Sequence, residues 1–261
     1  MILNILIGGF VFLTGLCIGS FLNCLIYRLE EEKTLEGRSF CPHCKHTLSW
    51  KDLFPVFSFV FLLGKCRYCK KSISWQYPLV EIATALLFLA IFVANSQYTI
   101  NNAINIIYLF YIFSVLIVIF VYDLKHYLIP DKVLFPAILV TFISIFLPTC
   151  NIQHVVFSFL AVLVGSGFFL LIFLLSKGQA MGFGDVKLAI LMGLLLGFPN
   201  ILVALFLAFF FGAIIGLILL FLRKKGLKSE IPFGPFLIAG TFIAIFFGNQ
   251  IIQWYLNFLR I

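Results

Sequence analysis

The chain has 261 residues, of which 63% are hydrophobic and only 11% charged, with a mean hydropathy of +1.15. That composition excludes a soluble globular domain and a disordered one, because there is too little polar surface to face water. The formal net charge of +8 points to loop topology and anionic lipid headgroups, not nucleic acid, since no aromatic motif of a soluble domain backs the basic residues.

Apolar runs of about 13 to 24 residues recur at 3–26, 78–94, 103–122, 133–147, 155–175, 186–198, 201–222 and 232–255. They lack the polar–apolar alternation of a porin strand, and lipid leaves backbone groups no partner but their own segment. The expectation is an all-α polytopic membrane protein of about eight transmembrane helices, the fourth and sixth being short. The first run is too long for a signal-peptide core, has no basic start and no clear small-residue cleavage site, so it reads as a helix. Near its end, Ser20 and Asn23 read either as helix-packing residues or as functional ones, and Arg28 can snorkel to the boundary.

Nine of the 18 basic residues lie between Arg28 and Lys71, and four more between Arg223 and Lys228. The alternate connections at 95–102, 148–154 and 199–200 carry none. Lys and Arg are retained on the cytoplasmic side, so both termini are expected outside and Asp123, Asp131 and Asp185 at the cytosolic face.

Residues 29–77 are the one substantial polar segment, too small to fold without a staple. Cys41-Pro-His-Cys44 and Cys66-Arg-Tyr-Cys69 are two Cys-x-x-Cys pairs separated by 21 residues, close to zinc-ribbon spacing. Two disulfides are the alternative, but a cytosolic loop is reducing. The expectation is a zinc-ribbon-like loop in which Cys41, Cys44, Cys66 and Cys69 enclose a structural Zn²⁺ with no open position. His43 and His46 are possible substitute ligands or solvated loop residues. Cys17, Cys24 and Cys150 read as small packing residues. The chain thus divides into a first helix (1–28), a cytosolic zinc-binding segment with four cysteine ligands (29–77) and a transmembrane core (78–261).

Carboxylates at membrane depth are functional by default. Glu81 stands just inside the second run, Asp123 at the end of the third, Asp131 after Pro130, and Asp185 in Gly182-Phe-Gly-Asp185. Two carboxylates about 4 Å apart repel by about 4 kcal/mol at an effective dielectric near 20, so one keeps a proton while the other is ionised. An aspartyl pair of Asp123 and Asp185 could then activate water and protonate a leaving group. Gly182 and Gly184 would let an extended substrate strand approach. Asp131 caps the next helix or binds substrate, and Glu81 either makes a structural hydrogen bond or recognises substrate or cofactor. Lys125 and Lys187, two residues beyond an aspartate each, point to another helix face. A transporter also holds intramembrane acids, and an assembly factor could use the cysteine-rich loop as an adaptor. Neither accounts for all the motifs together.

Gly19-Ser-Phe-Leu-Asn23, the paired Cys-x-x-Cys motifs, Tyr77-Pro-Leu-Val-Glu81, Asp123 with Pro130-Asp131, Gly182-x-Gly184-Asp185 and Phe233-Gly-Pro235 occur in this order over nearly the whole chain. Together they resemble the type IV prepilin peptidases. The resemblance implies an integral aspartic protease of the bacterial plasma membrane. It would cut the leader from type IV prepilins and pseudopilins at the cytosolic face, with Asp123 and Asp185 as the catalytic pair and the four cysteines as metal ligands. It also implies possible N-methylation of the new terminus with S-adenosylmethionine, for which no GxGxxG loop is present. Gln76 and Ala180 depart from residues common in the family at those places; neither touches the carboxylates.

Overall fold

Apolar runs that cannot exchange backbone hydrogen bonds with water fold as helices. The computed structural model describes residues 2–95, 100–146, 152–179, 181–222 and 231–259. In chain order the helices are α1 (Ile2–Glu30), α2 (Phe57–Phe61), α3 (Gln76–Ala94), α4 (Ile100–His126), α5 (Asp131–Ile145), α6 (Ile152–Leu175), α7 (Phe183–Leu196), α8 (Asn200–Phe221) and α9 (Gly234–Phe258). Among the described residues the only β pairing is two isolated bridges, so the all-α expectation holds.

Helices α1, α3, α4, α6, α8 and α9 are long and apolar enough to cross a membrane, and the protein is multi-pass. Helices α5 and α7, with 15 and 14 residues, fall short of the roughly 20 that a full crossing takes. They are the two runs already short in the sequence. Residues 96–99 and 147–151 of the connections without Lys or Arg, the basic residues at 223–228, Cys150, Ala180 and Arg260 lie outside the described residues.

The chain forms two compact units, Met1–Val118 and Ile119–Ile261. In the first, α1 packs on α3 through small residues, the usual solution where lipid supplies no hydrophobic drive between helices. Gly15 and Gly19, one turn apart on α1, leave no room for a side chain: a Cβ would stand 2.6 Å from Ala85 Cα and 2.6 Å from Glu81 Cα respectively. One turn on, buried Asn23 donates to the Tyr77 carbonyl at 3.1 Å and accepts from Gln76 Nε2 at 3.3 Å. The Gly-Ser-Phe-Leu-Asn and Tyr-Pro-Leu-Val-Glu motifs are therefore the two sides of one helix contact. Phe88 and Phe110 stack at 4.0 Å and join α3 to the first half of α4.

In the second unit α6 packs on α7, α8 on α9, and α5 on α7. A Cβ on Gly193 of α7 would meet Val162 backbone at 2.7 Å, and one on Gly240 of α9 would collide with the Ala204 carbonyl. Helix α7 is apolar all round, and Leu188, Leu191 and Met192 are fully buried, as expected of a helix enclosed by others. Its shortness costs nothing in lipid contact. Its N-terminal turn carries Asp185.

Candidate active site and metal centre

Asp123 lies in the last turn of α4 and Asp185 in the first turn of α7. Residues 62 positions apart in sequence come near enough for the charge of Asp123 to act directly on Asp185. Both are buried, at 4% and 9% exposure, where an isolated carboxylate is costly. The Gly182 N–H is directed at the Asp185 carboxylate, while the Asp185 N–H donates to the Gly182 carbonyl at 3.2 Å. This reciprocal turn starts α7 and aims the side chain.

Asp123 is set against the start of α9. The Gly234 N–H faces its carboxylate, and a Cβ on Gly234 would fall 2.5 Å from Asp123 Oδ2. Any larger residue there would displace the carboxylate. Oδ2 itself is buried and has no hydrogen-bond partner among the described residues, where such an acceptor is expensive unless something binds it. Gly184 is backed by Ile129, 3.2 Å from where its Cβ would be, whereas a Cβ on Gly182 would have nothing nearer than 3.9 Å.

Asp131 is the first residue of α5, with Pro130 as its cap and no side-chain capping bond. The carboxylate instead accepts from Lys187 Nζ at 2.8 Å on both oxygens. Lys187 misses its near neighbour Asp185, as the two-residue spacing predicts, and ties α7 to α5. In the same unit, Phe120, Leu124, Phe211, Ile215, Pro235 and Phe236 line an apolar groove of about 450 Å³ between α4, α8 and α9. Neither aspartate lines the groove; Leu124 and Pro235 are the chain neighbours of Asp123 and of Gly234.

Glu81, buried in α3, accepts the Val56 N–H at 2.7 Å and a hydrogen bond from Ser20. It holds the cysteine-rich segment to α1 and α3.

In that segment Cys41, Cys44, Cys66 and Cys69 bring their sulfurs within 4.8 Å of one another. The group can hold a metal ion. Cys41 and Cys69 Sγ are 3.9 Å apart; a zinc–sulfur bond of ~2.3 Å puts tetrahedral vertices about 3.8 Å apart, whereas a disulfide needs ~2.05 Å. The donor set therefore fits a tetrahedral ion. Each cysteine pair sits in the same small knuckle. Cys41 N–H donates to His46 O and Lys45 N–H to Cys41 O; Cys66 N–H donates to Lys71 O and Lys70 N–H to Cys66 O, all at 2.8–3.0 Å. Lys45 and Lys70 both take positive φ, 58° and 60°, and bridges Phe40–Thr47 and Lys65–Ser72 close the two turns. Residues 40–47 and 65–72 are thus a local duplication, too short and too divergent to register as a sequence repeat. His46 is not in the donor cluster; its ring packs at a tilt of 38° against Tyr68, centroids 3.7 Å apart, and joins the knuckles. Asp52 accepts from Arg67 at 2.6 Å and from Ser49 and Tyr68. Burial works against its charge, but the Arg67 and Ser49 bonds outweigh it and hold the carboxyl below its ordinary value.

Residues 13–95 match the bacterial peptidase A24 N-terminal domain, and residues 106–217 match the type IV leader peptidase family. A prepilin leader peptidase/N-methyltransferase of Aeromonas hydrophila is 33% identical over 95% of this chain and 94% of its own length. Proteins of the same name from Legionella pneumophila and Bacillus subtilis strain 168 are 32% and 31% identical, over 94% and 95% of this chain and 93% and 97% of theirs. The chain belongs to the type IV leader peptidase family. No solved structure matches it.

Within this peptidase, sequence reasoning missed what Gly234 touches, although Phe233-Gly-Pro235 was visible as a motif. Nothing local marks it, because the carboxylate it accommodates is more than a hundred positions away. The Lys187–Asp131 pair and the Val56–Glu81 bond were hidden for the same reason. The Gly15-x-x-x-Gly19 spacing was the one available signal for the α1 face.

Proposed function

We propose that this peptidase hydrolyses the leader of type IV prepilins and pseudopilins with Asp123 and Asp185 as an aspartic pair. The observation that carries the reading is the convergence of two buried carboxylates, from the end of α4 and the start of α7, with one oxygen of Asp123 unpartnered. Water held between them would be deprotonated by the ionised member as it attacks the scissile carbonyl. The protonated member gives its proton to the oxyanion, and the C–N bond breaks as the leaving nitrogen takes a proton. Gly182 gives an extended substrate backbone room beside Asp185; Gly184 supports the turn through Ile129. Asp131 supports the site structurally, through Lys187, and Glu81 holds the cysteine-rich segment through Val56.

A prepilin offers an apolar helix after its scissile bond, and the groove lined by Phe120, Leu124 and Phe236 is an apolar surface of matching chemistry for it. Lys and Arg retention supports an active site facing the cytosol from a bacterial plasma membrane, with both termini outside. Residues 29–77 act as a cytosolic zinc segment between a first helix and a peptidase core from 78 onward. Four thiolates leave zinc no open position, so the ion orders the loop and takes no part in hydrolysis. N-methylation of the new terminus is proposed from the names of the relatives alone. Among the described residues no glycine-rich nucleotide loop is formed, and the apolar groove lacks the donors an adenosine needs, so no step is assigned to S-adenosylmethionine.

The test is cleavage of a prepilin in reconstituted membranes by wild type, Asp123→Asn, Asp131→Asn and Asp185→Asn, read by the N-terminal mass of the product. Inactive Asp123 and Asp185 variants with a working Asp131 variant are expected. Activity in either of the first two removes the pair. Labelled S-adenosylmethionine with cleaved pilin tests the transfer, and no label on the pilin excludes it for that substrate.

A further inference from the structure

We propose that the α2 turn of the cysteine-rich segment, Phe54 to Leu63, is inserted into the cytosolic leaflet of the bilayer as an interfacial anchor. The first observation is depth. Helix α3 has 19 residues, about 28 Å at 1.5 Å per residue, which nearly matches a ~30 Å hydrocarbon core. Its first residue therefore lies at the boundary. Glu81 is five residues further in, about 7.5 Å along the axis, and its carboxylate accepts the Val56 N–H at 2.7 Å. The backbone just before α2 is thus held at the level of the second turn of a membrane-spanning helix, within the ~5–10 Å depth at which interfacial helices lie.

The backbone at that point is bent to reach it. Val56 has φ 60° and ψ −50°, and the Phe57 N–H donates to the Pro55 carbonyl at 2.6 Å. This is a γ-turn of the rare strained kind, adopted by a β-branched residue that avoids positive φ. Such strain persists where surrounding contacts over-determine it. Here the Glu81 bond holds the N-terminal side of α2, and the Phe59 ring packs on Trp75, the residue that precedes α3, at 5.0 Å.

What this geometry presents outward is apolar. Phe57, Val60 and Phe61, at i, i+3 and i+4 on one face, are 53%, 60% and 84% exposed, and Leu63 is 84% exposed. The other face, with Ser58, Phe59 and Leu62, is half-buried. Exposed Trp50 and Trp75 flank the turn, as amphipathic rings do at a headgroup boundary. The charge around it has the sign that anionic lipid requires: residues 38–80 hold seven Lys and Arg and a single acid, Asp52, which is already paired with Arg67. Depth, an exposed apolar face and a basic rim select lipid over a soluble protein as the occupant. The zinc segment is then held by the bilayer as well as by α1 and α3, and its knuckles are fixed at the membrane surface.

Full-length protein in phosphatidylethanolamine/phosphatidylglycerol vesicles tests this in two ways that need no catalytic activity. In a background with its tryptophans replaced by Phe, the reporters are Phe61→Trp and Leu63→Trp, with Phe10→Trp in lipid-facing α1 as the positive reference. Both α2 reporters are expected to emit blue-shifted light, quenched severalfold more by lipids brominated high on the acyl chain than by lipids brominated near the terminal methyl. Quenching by acrylamide but not by bromolipid, or blue-shifted emission that no bromolipid quenches, would overturn the proposal by placing the turn in water or under protein. The unmodified chain gives the second reading: a diazirine-bearing acyl lipid should leave adducts on the peptide covering 54–63 at a yield within a few-fold of that on α1. Adducts confined to the long helices would reject it.

Discussion

Gly234→Ala separates the position of the Asp123 carboxylate, proposed above as one of the catalytic pair, from the stability of the fold. The added Cβ would lie 2.5 Å from Asp123 Oδ2 and 3.2 Å from Cγ, where ordinary contact begins at 3.4 Å. The carboxylate must therefore retreat by about 0.9 Å, and misplacement of a reacting group by ~1 Å costs on the order of 100-fold in rate, or about 2.7 kcal/mol in the barrier. The fold should lose little, because the displaced atom is the end of a side chain with no hydrogen bond on Oδ2 to break. Substrate held in the groove beyond Pro235 should bind as before. The expected result is a kcat for prepilin cleavage reduced about 100-fold, with KM and thermal unfolding close to wild type. Gly216→Ala on α8, where a Cβ would meet nothing within 4 Å, serves as the unaffected control. If Gly234→Ala cleaves within threefold of wild type, Asp123 is not held where the reaction needs it, and the Gly234 contact does not position it.

Three other perturbations probe the supporting structure. Gly19→Ala sets a Cβ 2.6 Å from the Glu81 backbone, which cannot rotate away; it should destabilise by ~1–3 kcal/mol, seen as a lowered unfolding midpoint in detergent. Equal stability with Gly9→Ala, which has open space, would contradict the close α1–α3 contact. Cys66→Ser should abolish zinc that is otherwise equimolar with protein by metal analysis, and should impair cleavage less than Asp123→Asn; a zinc-free wild type in which all seven thiols titrate would remove the metal. Asp52→Asn addresses pH. The folded pKa of Asp52 lies below its ordinary 3.8, so its stabilisation is complete above that value and lost as pH falls through the folded one. The excess hydrogen-exchange protection of wild type over Asp52→Asn across residues 49–69 should be constant near neutrality and close below about pH 4. A difference that grows on acidification would show that the Arg67 and Ser49 bonds do not stabilise the charged form.

The solvent, the helical class, the two short helices and the cluster of four cysteines able to hold a metal were all legible in the sequence. Each depends on a local quantity: run length against bilayer thickness, backbone satisfaction in lipid, and thiol spacing that matches a tetrahedral ion. The two aspartates stood out for the same reason, since an acid beside hydrocarbon has few structural uses. Tertiary structure alone decided which groups meet. It brought Asp123 to Gly234, Lys187 to Asp131 in place of its neighbour Asp185, and the Val56 amide to Glu81, pairs separated by 25 to more than 100 positions. A run of apolar residues specifies that a helix is buried but says little of its rotation about its own axis, because lipid and a neighbouring helix are nearly equivalent solvents for it. The small residues at Gly15, Gly19 and Gly193 set that rotation by where backbones can touch.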